Sequence, residues 1–203
     1  MVVRSVNGNQ VLAGQTVTLA QEISAWLLGG RVAYALPGAL RSIGVGIDYL
    51  SGDDAPGDDE YRAFNTMYHT GHKWYGYLDL FLDPAARTGD RGLVDGMASA
   101  TMQLGPKAPL AIDVHRFWTA APRPVPCGGP LPCPANQPDE ADDLGWEFDL
   151  TLPLGIGPSQ RLQLGYSAYR NGAAAPLAGI GAADEWWHWG YLMLTFAFNG
   201  GVR

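Results

Sequence analysis

The chain has 203 residues, with 13 basic and 20 acidic side chains and a net charge of −7. That balance excludes the clustered basic footprint of a nucleic-acid binder. Hydrophobic residues make up 47%, too many for a disordered chain, and no run reaches the roughly 18 apolar residues of a membrane-spanning helix. Glycine, at 27, is about twice its ordinary share.

The opening residues Met1 to Gly8 show no apolar stretch of the kind a secretory signal needs. Residues 1–22, with Asn7-Gly8-Asn9 and Gly14-Gln15, read mainly as loop. From Ser24 onward, apolar and polar residues alternate with period 2, the mark of strands with two different faces. Trp26, Leu28, Val32, Tyr34 and Leu36 oppose Gly29 and Arg31 in the first such stretch; Ile43, Val45, Ile47 and Tyr49 oppose Ser42, Gly44, Gly46 and Asp48 in the second. Five more follow: Leu93–Leu104 around Asp95, Leu110–Trp118 around Asp113 and His115, Trp146–Leu152 around Glu147 and Asp149, Leu162–Tyr166 beside Arg161, and Leu192–Phe198.

The connections carry as much information as the strands. Pro37–Leu40, Gly105–Lys107 and Gly155–Ser159 are short and rich in Gly and Pro, the residues tight turns require. They alternate with long stretches at about 51–90, 120–143 and 171–185. Loop length sorted by parity is the habit of an outer-membrane barrel, with short turns on one rim and long loops on the other. One face of each strand is almost free of charge; the other holds Arg31, Asp48, Asp95, Asp113, His115, Glu147, Asp149 and Arg161. Lipid outside and water inside would produce that division. Trp26, Trp118, Trp146 and Trp186 stand at strand ends near the long loops, and Phe196 and Phe198 at the other rim, as two interfacial girdles would. Arg116 and Arg170 interrupt the apolar face beside the long loops, where they could meet lipid phosphates.

The fold expectation is therefore all-β: an antiparallel meander of about seven strands, belonging to a larger transmembrane barrel. An odd number of strands does not close a bacterial barrel in the usual way, so residues 1–203 read as the C-terminal part of one outer-membrane barrel domain within a longer polypeptide.

Three segments add a likeness. Asp48-Tyr49-Leu50-Ser51-Gly52-Asp53-Asp54, Phe64-Asn65-Thr66-Met67-Tyr68 and His72-Lys73-Trp74-Tyr75-Gly76-Tyr77-Leu78-Asp79-Leu80-Phe81 resemble the alginate-export family of outer-membrane proteins. Gly92–Asp95, Asp113–Trp118 and Leu164–Ser167 look like its later strands, and the likeness covers roughly residues 20–198. The resemblance implies a barrel of about eighteen strands, monomeric, passing an anionic polysaccharide through a lumen lined with basic side chains. The inward face here is instead net acidic, with five carboxylates against Arg31, Arg161 and His115.

Four further groups of residues carry chemistry with a plainer reading beside it. Cys127 and Cys133 flank five residues, too many for a redox pair; a loop disulfide and two free thiols both remain open. The acidic loop Asp53–Glu60 lacks the spacing of an EF-hand and reads as a solvated loop rather than a Ca2+ site. His69 and His72, with Asp79, lack a third metal ligand at a recognisable spacing, so that stretch reads as a loop packed by Tyr68, Trp74, Tyr75, Tyr77 and Phe81. Asp113 and His115 near Ser99 or Thr101 would suit a hydrolase, but no Gly-x-Ser-x-Gly elbow exposes a nucleophile, and no enzyme is expected. Arg31 and Asp48, on adjacent strands, are placed to pair across the wall.

The expected function is a passive outer-membrane channel for a hydrophilic solute or an anionic polysaccharide such as alginate. Its partners would be the lipid bilayer, lipopolysaccharide and the solute, with no cofactor, no metal and no nucleic acid. Loops 51–90 and 120–143 would fold inward or cap the pore. Two alternatives stand beside it. One is a soluble β-sandwich that binds carbohydrate on a platform of Trp186, Trp187, Trp189 and Tyr191; the other is a structural barrel that anchors a partner.

Overall fold

The computed structural model describes residues 3–12, 15–56, 58–66, 74–121 and 142–197. It is all-β apart from one short α-helix and one 3-10 turn. Seven strands form a single antiparallel sheet: β3 (Leu27–Ala35), β4 (Leu40–Leu50), β6 (Leu93–Gly105), β7 (Ala108–Trp118), β8 (Asp143–Gly155), β9 (Gln160–Asn171) and β10 (Trp186–Phe196). Each strand pairs with the next of these in sequence, so the sheet is a meander with β3 and β10 at its edges. These are the seven strands that the period-2 pattern marks.

The difference lies at the start of the chain. The turn chemistry of residues 1–22 predicts mainly loop, but Val3–Leu12 (β1) and Gln15–Ile23 (β2) form an antiparallel hairpin. Asn7 and Gly8 sit inside it, opposite Ala20 and Leu19. Cross-strand pairing along the whole hairpin outweighs the weak strand preference of Asn and Gly. The hairpin continues into β5 (Glu60–Tyr61), which pairs parallel with Glu22 and Ile23.

Connections follow the expected parity. Residues 36–39, 106–107 and 156–159 close tight turns, and Gly38 takes the left-handed conformation (φ 97°) that the first of them needs. The other ends of the strands are joined across residues 51–92, 119–142 and 172–185. Within the first of these stands α1 (Pro84–Thr88), capped by the Asp83 carboxylate, which accepts the Ala86 N–H at 3.1 Å.

Exposure is divided between the two faces in the reverse of a soluble sheet. Leu28, Val32 and Tyr34 of β3, Ile43, Val45 and Ile47 of β4, Phe148 and Leu150 of β8, and Leu192, Leu194 and Phe196 of β10 are all exposed; Val45, at mid-strand, is 60% exposed. The opposite face is covered over the long-loop half of β4 to β9, while Leu27, Trp187 and Met193 of the edge strands stay exposed on it. At its long-loop end Leu50, Leu93, Phe117 and Tyr169 are buried with Tyr75, Phe81, Ala174 and Ile180 from the long connections. The core thus sits on the charged side of the sheet, under loops rather than under a second sheet. Phe81 anchors it, with its ring 4.6 Å from Phe117 and 6.4 Å from Tyr169.

A carbohydrate-binding sandwich would have clasped the Leu, Val and Phe rows between two stacked sheets; here they are exposed. Its proposed platform is also split. Trp187, Trp189 and Tyr191 stand opposite Tyr169, Ser167 and Gly165, on the charged side. Trp186 falls on the other side with His188, whose ring stacks on it at 6.1 Å.

Candidate functional site

Register brings the charged residues into rows across the middle of the sheet. Asp48 lies opposite Asp95, Asp113 opposite Asp149 and His115 opposite Glu147. Like charges facing each other across strands are destabilising unless something neutralises them. Here the neutralising groups are visible. Arg31 on β3 donates to Asp48 at 2.8 Å, the pairing that the alternation predicts. His115 Nδ1 lies 3.0 Å from both oxygens of Asp95, and its Nε2 lies 3.9 Å from Asp149. Ser167 on β9 donates to Asp149.

The first long connection completes the arrangement from above. Tyr75 (φ 63°) and Gly76 (φ 85°) both adopt left-handed backbone conformations. The turn aims the next two amides at the wall: Leu78 N–H donates to Glu147 Oε1 at 2.7 Å, and Tyr77 N–H to Asp149 Oδ2 at 3.3 Å. A Cβ at position 76 would fall on the Glu147 carboxyl group, so glycine is required both for its φ and for this approach. Trp74 receives the Arg31 guanidinium over its ring at 4.7 Å. Burial, then the charges of Asp48 and Asp95, push the Tyr75 phenol up to about 12.

Between wall and segment lies a cleft of about 210 Å³, lined by Arg31, Tyr75, Tyr77, Ser99, Asp113 and His115 among others. The eight residues expected on this face divide into three groups. Asp95 (0% exposed), Glu147 (0%) and Asp149 (1%) are covered, with Asp48 and His115 nearly so. Asp113 is half-buried in the cleft, while Arg161 is exposed near the tight-turn rim, apart from the cluster. The Arg31 side chain keeps 42% of its surface exposed, against 12% for Asp48.

Among the described residues no hydrolytic geometry forms. The two nitrogens of His115 face carboxylates, Asp95 and Asp149, and the Ser167 hydroxyl donates its hydrogen bond to Asp149 rather than to an imidazole. Backbone pairing places Asp113 opposite Ser99, one row away from His115.

The acidic loop likewise holds a cation of its own. Arg62 lies 2.7 Å from Glu60 and 2.9 Å from Asp58, with Asp53 and Asp54 each at 3.8 Å. A guanidinium thus stands where a Ca2+ ion would have gathered these oxygens. The Glu60 backbone N–H and the Arg62 guanidinium hold Asp58 below the usual carboxylate range. Nearby, the Tyr61 hydroxyl donates to Asp90 at 2.7 Å, and burial followed by that bond raises its phenol far above its ordinary value. Among the described residues no three His, Cys, Asp or Glu side chains group as metal ligands. His69, His72, Cys127, Cys133 and Phe198 lie outside the described residues.

The long-loop rim carries the aromatic residues expected there. Trp26, Trp146 and Trp186 are exposed, and Trp26 stacks on Tyr49 at 4.8 Å. Arg116 sits between the rings of Trp146 (4.7 Å) and Trp118 (5.3 Å) and pairs with Asp143 at 2.6 Å. Arg170 pairs with Asp184 at 2.7 Å.

Sequence reasoning missed the apolar stretch of the inward face at its long-loop end: Leu50, Leu93, Phe117 and Tyr169. The signal was present in the first long connection, whose Phe64, Leu78, Leu80 and Phe81 need a surface to cover.

No helix among the described residues is long and apolar enough to cross a membrane, a finding that leaves strand-built membrane proteins open. No curated protein matches the chain. The family model described as alginate export matches residues 8–188, nearly the whole length. With its all-β meander and a charged face roofed by a long loop, the chain belongs to the alginate-export family, a transport family rather than an enzyme family, and has a role in alginate export or transport.

Proposed function

We propose that the seven-stranded sheet is part of a closed outer-membrane barrel that passes a hydrophilic chain, an anionic polysaccharide of the alginate kind, by passive diffusion through its lumen. The observation that carries this reading is the inverted dressing of the sheet. Leu, Val, Ile and Phe side chains are exposed on most of its strands, and between the rims the charged residues face the other way. In water that exposed face would be a large apolar patch and an aggregation hazard; against hydrocarbon it is the expected surface.

Three further features support it. The strands β3 and β10, nine and eleven residues long, stand at the edges of the sheet among the described residues, where further strands could continue the wall. Short turns and long loops segregate to opposite rims. Exposed Trp side chains stand at the long-loop rim, with Arg116 and Arg170 among them, at the level where lipopolysaccharide headgroups would lie. The eight charged residues of the inner face are then the lumen wall: Arg31, Asp48, Asp95, Asp113, His115, Glu147, Asp149 and Arg161. A monomeric barrel suffices for the task, and the mechanism needs no cofactor.

Reconstitution of the full-length protein into planar bilayers tests the proposal. Stepwise conductance is expected, increasing when the inward segment of residues 74–81 is replaced by a short linker. Electrical silence in both forms would reject a channel and leave the anchoring of a partner as the better account.

A further inference from the structure

A wall with five carboxylates and two arginines should repel a polyanion, yet the family's task is to move one. The structure offers a resolution in how those charges are covered. Residues Trp74–Phe81 lie across the acidic rows. Their backbone amides occupy Glu147 and Asp149 at 2.7 and 3.3 Å, while Phe81 is packed into the core beside Phe117. Asp95 is taken up by His115, and Ser167 fills a second site on Asp149. A carboxylate whose oxygens accept N–H and O–H donors under a protein cover offers no ligand to a mobile cation, and its field is partly cancelled at the source. Arg31 is treated differently. The carboxylate of its pair is nearly buried, while the guanidinium remains the exposed partner, steadied by the Trp74 ring. Arg161 is exposed as well.

We infer that the segment Trp74–Phe81 is a charge mask: it covers Asp95, Glu147 and Asp149 and leaves Arg31, Asp113 and His115 at the cleft, so that most of the negative charge of a wall acidic by composition is hidden from a passing anionic saccharide. The inference rests on the channel reading above and names how that channel would select its solute. Glu147 and Asp149 act here as positioning residues, since they hold the mask without touching the solute.

The test is the reversal potential of the full-length protein in a planar bilayer under a KCl gradient. Gly76→Val changes no charge, but its side chain falls on the Glu147 carboxyl group and lifts the segment. Relative to the wild type, Gly76→Val should move the permeability ratio several-fold toward potassium. Adding Glu147→Gln and Asp149→Asn to Gly76→Val should reverse most of that shift. Replacing Tyr75–Leu78 by Gly-Ser repeats uncovers the same wall by a second route, should Gly76→Val fail to insert. Conductance with an unchanged permeability ratio would overturn the mask and spare the channel. A shift that survives removal of both carboxylates would also overturn it, because the uncovered acids would not be its source. No conductance in the wild type or either uncovered form would overturn the channel itself, and the mask with it.

Discussion

The two faces of the same sheet obey opposite rules. On one, Ile43, Val45 and Ile47 of β4 are exposed and pack under nothing. On the other, one residue beyond Ile47 on the same strand, Asp48 is nearly buried and bonded to Arg31. The charged face is an interlocked layer in which strands and the first and third long connections share one core; the apolar face is left for its surroundings to cover. A sheet folded for water would be built the other way, with charges outward and the apolar rows packed. The difference teaches that the environment acts as one of the packing partners of this fold, and that its stability is divided between an internal core on the charged side and the medium on the apolar side.

The largest expected effect comes from the covered side. Phe117→Ala removes a fully buried ring that touches Phe81 and Tyr169, and should cost about 3–5 kcal/mol of unfolding free energy, read from denaturant titration in vesicles. A cost below about 1 kcal/mol would mean that the inward loop is not packed there.

The exposed side sharpens the comparison through a pair of variants. Val45→Arg places a charge at the middle of β4 and should cost about 2–4 kcal/mol in the same assay, as for an arginine at a bilayer midplane. Arg170→Ala, on the same face at the long-loop rim, breaks only an exposed pair with Asp184 and should cost at most about 1 kcal/mol. Equal, small costs at both positions would show that the exposed rows meet water.

Tyr75 gives the smallest and most local signal. Its phenol pKa is raised by burial, so the neutral form is the one the fold favours. Its contribution is complete below pH of about 10 and is lost as pH rises toward about 12. A tyrosinate absorbance titration compared with Tyr75→Phe should show one phenol missing from the late phase. If the missing phenol titrates near 10, the segment is not seated on the wall.

Much of this was legible in the sequence because its causes are local. Alternation at Ile43, Val45 and Ile47 against Gly44, Gly46 and Asp48 fixes which residues share a face, and Gly and Pro at 37–38 and 105–106 fix the tight turns. The Arg31–Asp48 pair was legible because both residues share a face on adjacent strands, although the register sets Arg31 opposite Gly46 and makes the pair a diagonal one. The hairpin of β1 and β2 was not legible, because Asn7-Gly8-Asn9 carries turn chemistry and only long cross-strand pairing overrides it. The partner of His115 was hidden too. Asp113 shares its strand, but the bond goes to Asp95, twenty positions away, which the register of β6 on β7 brings within reach. The seat of Leu78 on Glu147, across 69 positions, depends on the left-handed turn at Tyr75 and Gly76, for which the glycine alone gave a hint.

The orientation of Val45 is the most direct test of the whole account. A nitroxide attached at Val45→Cys, with Cys127 and Cys133 replaced by Ser in the full-length protein, reports whether oxygen dissolved in lipid or a water-soluble paramagnetic ion reaches that side chain in reconstituted vesicles. We predict strong relaxation by oxygen and almost none by the aqueous ion, with the reverse order for a label at Arg31→Cys on the other face. A Val45 label reached mainly by the aqueous ion would contradict the assignment of the uncharged face to the membrane.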